Sequence, residues 1–513
     1  MNIVILHHHL NPGGVTRVVE NHLRALGTVP DNGELQVLLL HGGRCQDWPL
    51  ERLQESLPFQ ISMNTIEGLD YDLTGTKPSE ALGQRIARKL ASEQFTPENT
   101  LLHWHNHSLG KNASTPLAVT HLATQGYRQL LQVHDFAEDF RPSNYRYLLR
   151  KLGEGDAEQL AARMYPQSTG IHYAVLNGRD RAVLAEAGIE RSRLHFLPNP
   201  VAGPPLDDDA DEARRMVNEK LAISAEKRFV VYPVRGIRRK NLGEFLLWST
   251  ACRDAHFLVT LAPQNPAERA SFDRWSALAE ELELPCTLGV PSTAELAFGE
   301  ILAASDALLT TSVAEGFGMT FLECWLVERD LLGRDLPEIT QDFTCAGLDL
   351  SQLYETLEIP TQWFDRGEYL SSMSLLMAEA YSGFGVVPTT PEELREQLAS
   401  LIDHPTIDFA RLPSSLQASV IRQVHQDESR REQLLELNPK LAVSACKDSD
   451  RVTSNAAITQ QQYSLANLGE QLLTTYQATM ASTTADATAL PRGQAILGAF
   501  LRTDRFNPVR VES

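Results

Sequence analysis

The amino terminus shows how apolar positions are spaced along this chain. Met1 to Leu6 is an almost unbroken apolar run and predicts a buried strand. The segment from His7 to Gly14 follows as a glycine-containing loop. Apolar residues then recur at helical spacing, which predicts an amphipathic helix that ends near Gly27. A strand, a short glycine loop and a helix are a common start of a doubly wound nucleotide- or sugar-binding domain.

Strand-like runs recur along the chain between helical patterns. This alternation predicts an α/β protein with two doubly wound, Rossmann-like domains and parallel sheets. We expect an amino-terminal domain over residues 1–205, a second such domain over 206–405, and carboxyl-terminal helices with a tail over 406–513. The runs that support the two sheets lie at residues 37–40, 100–102, 130–133, 171–176, 228–234 and 307–309.

Two carboxylates flank a glycine turn between a predicted strand and a predicted helix. Glu315 follows the apolar run 307–309, and Glu323 lies just inside the helix. Gly316 and Gly318 permit positive φ angles and a close approach of a ligand to the main chain. Free amides at the start of the helix favour an anion. Two acids beside a diphosphate-sized anion site suit the hydroxyl groups of a nucleotide sugar.

A second loop carries two cations. The run 228–234 is rich in β-forming residues and predicts a strand. Arg235 and Lys240 follow it, on a loop at the carboxyl end of the strand, where open α/β sheets bind ligands. Cations there would offset the charge that develops on a departing diphosphate. The alternative interpretation of these two residues is a basic surface turn without a ligand. Asn241 and Glu244 have the spacing of a helix N-cap pair.

Glu315 lies in the motif Ser-x-x-Glu-Gly-Phe-Gly, and Glu323 follows it eight residues later. Together they resemble the Glu-x7-Glu signature of the retaining group 1 glycosyltransferases. This family of two-Rossmann-domain (GT-B) enzymes includes sucrose and glycogen synthases. The resemblance implies that Glu315 binds the donor sugar and Glu323 the nucleotide ribose. It also implies that Arg235 and Lys240 stabilise the leaving diphosphate. The turn that would meet this diphosphate consists of Gly316, Phe317, Gly318, Met319 and Thr320.

The resemblance extends to the amino-terminal half of the chain. The family's first loop approaches the donor phosphates and the acceptor across an interdomain cleft, which implies such a role for Gly13 and Gly14. The family often has a histidine at a strand end that contacts the donor sugar or the acceptor, and His134 matches it after the run 130–133. The resemblance further implies transfer with retention of anomeric configuration, no obligatory metal, and no cofactor besides the nucleotide diphosphate sugar itself.

The other histidines invite a different interpretation. His103, His105 and His107 alternate along an extended segment and therefore share one face. Imidazoles are good zinc or copper ligands, so a metal site is an alternative here. No cysteine or carboxylate spacing completes such a site, so hydrogen bonding is favoured and no metal is predicted. The run of three histidines at 7–9 is expected to be solvated or satisfied in the core.

Composition and charge restrict the classes of partner that we expect this chain to bind. The formal net charge of -20 argues against nucleic acid and, more weakly, against docking on anionic lipid, so a soluble acceptor is favoured. The chain has no 20-residue apolar stretch and no basic, apolar leader, which predicts a cytoplasmic protein without membrane insertion. Six cysteines without Cys-x-x-Cys spacing suit a reducing compartment. Oligomeric state, sugar, base and acceptor stay open.

Two regions depart from the family pattern. After Glu323 the family has a small-residue turn and a Gly-Pro-Val strand, neither of which is present here. Residues 341–385 are predicted to be an insertion that forms a lid or a pocket wall. The small, polar segment 482–488 predicts a flexible stretch, and residues 463–476 predict a helix that returns to the first domain.

The expected function is that of a retaining glycosyltransferase that moves a hexosyl unit from a nucleotide diphosphate sugar to a soluble hydroxyl acceptor. Three alternatives stay open. A retaining phosphorylase would use inorganic phosphate, keep Arg235 and Lys240, and lose the ribose contact of Glu323. A non-hydrolysing nucleotide-sugar epimerase is the second alternative. A catalytically silent sugar or nucleotide sensor is the third, since fold alone does not determine function.

Overall fold

The computed structural model describes residues 1–30, 35–73, 76–203, 209–386, 390–441 and 448–512. These residues pack as two compact units. The first unit comprises Met1–Pro200, Gly383–Gly385 and Tyr463–Arg502, and the second comprises Val201–Ser382, Val386–Gln462 and Thr503–Ser513.

The first unit is built on a sheet of seven parallel strands. They are β1 (Asn2–Leu6), β2 (Gln36–His41), β3 (Gln60–Thr65), β4 (Thr100–His105), β5 (Arg128–Val133), β6 (Ile171–Val175) and β7 (Leu194–Phe196). Their spatial order is β3-β2-β1-β4-β5-β6-β7, so the strand order reverses between β1 and β4. This is the arrangement of a doubly wound, Rossmann-like sheet.

Successive residues of β1 face two different hydrophobic cores, because side chains alternate along a strand. Val4 and Leu6 belong to one core, and Ile3 and Ile5 belong to the other. The helices of this unit are α1 (Gly14–Leu26), α2 (Leu50–Ser56), α3 (Ala81–Ser92), α4 (Thr115–Thr124), α5 (Pro142–Lys151), α6 (Ala157–Met164), α7 (Gly178–Ala187), α19 (Leu465–Met480) and α20 (Gln494–Phe500).

The second unit contains a sheet of five parallel strands, in the order β10-β9-β8-β11-β12. These strands are β8 (Arg228–Arg235), β9 (Ala255–Leu261), β10 (Cys286–Leu288), β11 (Ala307–Thr310) and β12 (Asp330–Gly333). A separate antiparallel pair consists of β13 (Glu358–Pro360) and β14 (Thr406–Asp408). The prediction of two doubly wound α/β domains is confirmed.

The helices numbered α8 to α18 follow in chain order after the first sheet, and α14 ends inside the short stretch that belongs to the first unit. They are α8 (Ala210–Lys220), α9 (Leu242–Ala251), α10 (Pro266–Glu281), α11 (Phe298–Ala303), α12 (Thr320–Leu326), α13 (Pro337–Cys345), α14 (Arg366–Phe384), α15 (Pro391–Leu401), α16 (Ser414–Gln426), α17 (Glu428–Leu437) and α18 (Ser449–Gln462).

The segment Tyr463–Arg502 packs within the first unit, whereas Thr503–Ser513 belongs to the second. Helix α19 covers most of the predicted helix at 463–476 and is assigned to that unit together with α20. The expectation that residues 482–488 are flexible is wrong. Thr488 forms a bridge with Gln167, and the Ser168 hydroxyl donates to the carbonyl of Ala485 at 2.6 Å. Backbone hydrogen bonding therefore holds a segment whose side chains alone suggested disorder.

Two further expectations concern membranes and cysteines. No helix within the described ranges is both long and apolar enough to cross a bilayer. The five described cysteines, Cys45, Cys252, Cys286, Cys324 and Cys345, are free thiols. Cys446 lies outside the described residues.

Candidate active site

The sheet of the second unit reverses its strand order between β8 and β11. The two strands pair in parallel, with Ala307 opposite Val230 and Leu308 opposite Val231. Strands β9 and β10 continue on one side of β8, and β12 continues beyond β11. Open α/β sheets bind ligands beyond the carboxyl ends of the strands at such a point. The loops that follow β8 and β11 therefore form the candidate site.

Two hydrogen bonds tie these loops together. The amide of Val313 donates to the carbonyl of Arg239 at 2.9 Å. The hydroxyl of Thr311 donates to the carbonyl of Lys240 at 2.8 Å. Because both bonds join main-chain carbonyls of the first loop to the second, they fix Lys240 beside the loop that carries Glu315.

Glu315 forms a buried ion pair with Lys240. Nζ of Lys240 contacts Oε1 of Glu315, and the two side chains are only 10% and 9% exposed. Nη2 of Arg239 lies 3.7 Å from Oε2 of the same carboxylate. The Ser312 hydroxyl donates to Oε1 at 2.6 Å, and the hydroxyl oxygen of Tyr232 lies 2.5 Å from that of Ser312. One carboxylate thus gathers two cations and a chain of two hydroxyl groups.

The charges of this cluster keep the carboxylate ionised. Burial acts against the charged form of Glu315, but Lys240 and Arg239 outweigh it and lower the pKa of Glu315 to about 2. Burial lowers the pKa of Lys240, Arg239 acts in the same direction, and Glu315 opposes both. The Lys240 ammonium therefore depends on Glu315 to stay protonated. Because two cations face one carboxylate, the cluster has excess positive charge, which favours a bound anion.

Arg235 is the last residue of β8 and is half-buried. The next amide, that of Gly236, donates to the carbonyl of Leu261 at 2.8 Å and keeps β8 paired with β9 here. Within the described part of the chain, the guanidinium of Arg235 has no hydrogen bond or ion pair. Arg235 therefore ends the strand and Lys240 lies in the loop that follows it, and of these two cations only Lys240 is paired with Glu315.

The turn between β11 and α12 depends on one glycine. Gly318 has a φ of 86°, and a Cβ atom there would lie 2.8 Å from a ring carbon of Phe321. Gly316 does not use the positive φ that glycine permits. Among the described residues, the amides of Gly318, Met319 and Thr320 donate to no acceptor. These three donors are available to an anion at the start of α12.

Phe317 and Glu323 occupy different environments. The Phe317 side chain is buried and packs edge-on against Phe343, with ring centroids 5.6 Å apart, so it supports the turn from inside. Glu323 lies in the first turn of α12 and is partly exposed. Its contact with a ribose stays a prediction, as do the ligand contacts of the turn.

Asn241 occupies the predicted N-cap position of α9, but the predicted side-chain cap is absent. The Asn241 side chain caps no amide, and its Nδ2 donates instead to Oε2 of Glu244 at 2.9 Å. Glu244 is fully buried and accepts from Arg334 at 2.7–3.1 Å. Arg334 also donates to both oxygens of Asp408, at 2.7 and 2.9 Å. The part of the chain that departs from the family pattern therefore supplies a buried cation that holds the start of α9.

The remaining predicted site residues lie in the first unit. His134 follows β5 and is buried, with its Nε2 2.8 Å from Nδ1 of His105 and its amide donating to the Asn106 side chain at 2.8 Å. Burial lowers the pKa of His134 to about 4, so its imidazole is neutral at neutral pH. Gly13 and Gly14 are exposed at the start of α1. Their predicted contacts with donor or acceptor stay predictions.

The three alternating histidines have two different environments in the structure, one for His107 and one shared by His103 and His105. Nε2 of His107 lies 2.9 Å from the carbonyl oxygen of Met164, in agreement with a hydrogen-bonding role. The His103 and His105 rings stack on each other, with centroids 4.4 Å apart, and both lie beside His22 of α1. His22 gives no signal of this cluster in the sequence, because it lies on the apolar face of a helix far from β4 in the sequence.

Sequence reasoning missed three residues around Glu315 and Glu244. Arg239 had a visible signal, since it belongs to a basic run that also contains Lys240. Tyr232 had none, because an aromatic residue in a strand is usually a core residue. Arg334 follows two leucines and a glycine, and a lone charge after such an apolar run is a signal for a buried ion pair.

Comparison with solved structures gives distant likenesses, and no protein-family model matches the chain. Alr3699/HepE of Anabaena in complex with UDP and glucose is 14% identical, with 93% of this chain and 100% of that chain covered and a TM-score of 0.48. A glycosyltransferase from Rickettsia africae ESF-5 is 12% identical, with 94% and 98% covered and a TM-score of 0.48.

A curated relative is more informative. Mannosylglucosyl-3-phosphoglycerate synthase of Petrotoga mobilis (strain DSM 10674 / SJ95) is 27% identical over 459 residues, which cover 86% of this chain and 84% of the relative. Together with the two parallel sheets, this similarity confirms the prediction of an enzyme of the glycosyltransferase class.

Proposed function

We propose that the chain is a retaining glycosyltransferase that moves a hexosyl unit from a nucleotide diphosphate sugar to a hydroxyl group of a soluble acceptor. The observation that carries the proposal is the buried pair of Lys240 and Glu315 at the point where the second sheet reverses its strand order. Arg239 lies near the carboxylate, the unpaired Arg235 ends the strand before this loop, and the adjoining turn has three free amides.

In the proposed reaction, the bond between the anomeric carbon and the diphosphate oxygen breaks. The acceptor hydroxyl oxygen bonds to the same carbon, and its proton leaves with the nucleotide diphosphate. Negative charge grows on the leaving diphosphate, and Lys240 and Arg235 are the groups that stabilise it. Glu315 keeps Lys240 charged in a buried site and orients the sugar, while Glu323 holds the ribose. No metal or further cofactor enters this sequence of steps.

The relative suggests the class of acceptor. Its name describes a product in which a sugar unit is joined to glucosyl-3-phosphoglycerate. A small, phosphorylated sugar acid of this kind is soluble. A soluble acceptor is also what the net negative charge of the chain favours, because that charge argues against docking on anionic lipid. We therefore take glucosyl-3-phosphoglycerate as the first acceptor to assay, with mannose and glucose nucleotides as donors.

The experiment is a donor and acceptor matrix with two variants. The purified chain is incubated with UDP-, GDP- and ADP-sugars, with and without glucosyl-3-phosphoglycerate, and free nucleotide diphosphate and glycosylated product are quantified. Arg235→Ala is the main variant, because its side chain has no partner whose loss would unfold the protein. We expect it to lower kcat by on the order of 100-fold, and Lys240→Ala by at least as much. Exposed Lys220→Ala is the control and should act like the unsubstituted enzyme.

The product also tests stereochemistry and the alternatives. A retained anomeric configuration, read by proton NMR, supports the proposal, and an inverted one contradicts it. Turnover that requires inorganic phosphate and no nucleotide would favour the phosphorylase. Interconversion of nucleotide sugars without any acceptor would favour the epimerase. The sensor would be favoured if the protein binds a ligand but shows no turnover, and if Glu315→Ala abolishes that binding.

A further inference from the structure

The interior of the first unit contains a histidine cluster that the proposed reaction does not use. His22 lies on α1, and His103 and His105 lie on the same face of β4. All three side chains are at most 1% exposed. One ligand nitrogen of each ring lies within 4.8 Å of one from each of the others. Nitrogens that share a tetrahedral zinc ion at roughly 2.0–2.1 Å are about 3.3 Å apart, so small side-chain rotations would bring these three together.

Several ring nitrogens of the cluster have unmet hydrogen-bonding capacity. A neutral imidazole carries one donor and one acceptor nitrogen, and buried groups of this kind are normally paired. Within the described ranges, both nitrogens of His22 and Nε2 of His105 have no hydrogen-bond partner. These unpaired nitrogens come from two elements of one buried cluster, and they are available to a ligand.

The second nitrogens of His103 and His105 contact side chains that would hold each ring in place. A ligating histidine usually bonds through its second nitrogen to an outer group that fixes the ring. Nδ1 of His105 lies 2.8 Å from Nε2 of His134, and Nε2 of His103 lies 2.9 Å from Oε1 of Gln132. His103 would then bind the ion through Nδ1 and exchange its 2.8 Å contact with the Tyr476 hydroxyl for the metal.

We propose that His22, His103 and His105 bind one transition-metal ion of the Zn²⁺ class. The three ligands are neutral nitrogens, which suit Zn²⁺ or copper and do not suit Mg²⁺ or Ca²⁺, whose preferred ligands are oxygens. Three histidines leave one tetrahedral position for a water molecule, and its deprotonation on the metal would reduce the buried positive charge.

The ion would act on the fold of the first unit and not on the transfer reaction. It would join α1, which begins at the Gly13–Gly14 loop, to β4, whose end leads to Asn106. The Asn106 side chain accepts the amide of His134, and His134 contacts His105 directly. A metal at the cluster would therefore fix the backbone on both sides of the loops that end at this edge of the sheet.

The test measures metal content and stability in the full chain, purified without a polyhistidine tag from zinc-supplemented medium. We expect elemental analysis to find one zinc per chain, and a strong chelator to lower Tm by several degrees. Co²⁺ loaded in place of zinc should give the intense visible absorption of a tetrahedral site. Mg²⁺ at the same concentration should change neither Tm nor spectrum.

His22→Leu is the decisive variant, because replacing unpaired nitrogens with an apolar side chain removes no hydrogen bond. If the ion is present, this variant loses the zinc and the chelator sensitivity, and its affinity for added Zn²⁺ falls on the order of 100-fold or more. His107→Asn is the control, since that histidine is equally buried but bonds Met164, and it should keep the zinc.

Three results would overturn the proposal. The first is an unsubstituted chain with no bound zinc and no response of Tm to chelator or Zn²⁺. The second is a His22→Leu variant that binds zinc as the unsubstituted chain does, which would locate the ion elsewhere. The third is a His22→Leu variant that is more stable than the unsubstituted chain under all metal conditions, which would make the cluster a core of imperfectly paired histidines. If His22→Leu does not fold, the chelator and Co²⁺ measurements on the unsubstituted chain decide alone.

Discussion

At the scale of single residues, the candidate site centres on how Glu315 is kept charged in a buried place. Its oxygen Oε1 receives both the Lys240 ammonium and the Ser312 hydroxyl, and Ser312 in turn contacts Tyr232. A carboxylate in this position would lose a hydrogen bond and gain freedom if the serine were absent. Ser312 is thus a positioning residue that acts through Glu315.

Ser312→Ala should lower kcat/KM by roughly 10-fold or more while leaving the fold intact, because one hydrogen bond to a charged group contributes about 1.5–3 kcal/mol. Loss of that bond disfavours the ionised carboxylate, so the pKa of Glu315 should rise from about 2. The acid limb of the pH–rate profile should therefore move to higher pH. Steady-state kinetics between acidic and neutral pH measure both effects.

Tyr232→Phe provides the comparison for that variant. It removes only the hydroxyl that contacts Ser312 and leaves the bond from Ser312 to Glu315 in place. We expect a smaller loss of activity than for Ser312→Ala and no shift of the acid limb. Equal kinetics for Ser312→Ala and the unsubstituted enzyme would mean that Lys240 alone positions the carboxylate.

At the scale of secondary structure elements, the segment after α12 is joined to the start of α9 by buried charge. Arg334 directly follows β12, and its amide donates to the carbonyl of Thr310 in β11 at 2.7 Å. Its guanidinium, 5% exposed, binds Glu244 of α9 and Asp408 of β14. The region that departs from the family pattern therefore supports the loops of the site through three elements of the same unit.

Arg334→Met should destabilise the second unit by about 3–5 kcal/mol, because it leaves two buried carboxylates without their cation. Adding Glu244→Gln to the same chain should recover part of that loss, since one of the two stranded charges disappears. Denaturant unfolding of the single and double variants measures the free energies.

Arg422→Met is the matched control for Arg334→Met. Arg422 also donates two hydrogen bonds to one carboxylate, that of Glu281, but the two side chains are 41% and 51% exposed. An exposed pair contributes about 0–1 kcal/mol, so this variant should unfold almost as the parent does. If Arg334→Met costs no more than Arg422→Met, the network does not hold α9.

At the scale of the whole molecule, the sequence predicted the features that depend on a short segment of chain. It did not predict the contacts between residues that are far apart in the sequence. The strands that open each sheet followed from apolar runs, and Lys240 and Glu315 followed from loops at strand ends. Arg334 and His22 could not be placed, because their partners are about 70 to 90 residues away in the sequence. The held segment at 482–488 was missed for the same reason, since its bonds run to residues near 168.

One buried acid of the first unit should make stability depend on pH. Glu138 is 3% exposed and accepts hydrogen bonds from the Tyr165 hydroxyl at 3.1 and 3.3 Å. Burial raises the pKa of Glu138 from 4.5 to about 7, although the bond from Tyr165 opposes this. Between these two values the folded state keeps a proton that the unfolded state has lost. Stability from this group is therefore full below pH 4.5 and falls as pH rises toward 7, by on the order of 3 kcal/mol in total.

Glu138→Gln should remove this slope, because the amide stays neutral at every pH and still accepts from Tyr165. We expect the stability of the variant relative to the parent to increase from pH 5 to about pH 7 and to level off above it, as measured by denaturant unfolding at several pH values. The buried neutral histidines gain protons on acid unfolding in both proteins, so their opposite effect cancels in the difference. Glu80→Gln, at an exposed acid of the same unit, is the control for the loss of one carboxylate. A constant difference for Glu138→Gln would mean that Glu138 is already ionised in the folded state at pH 5.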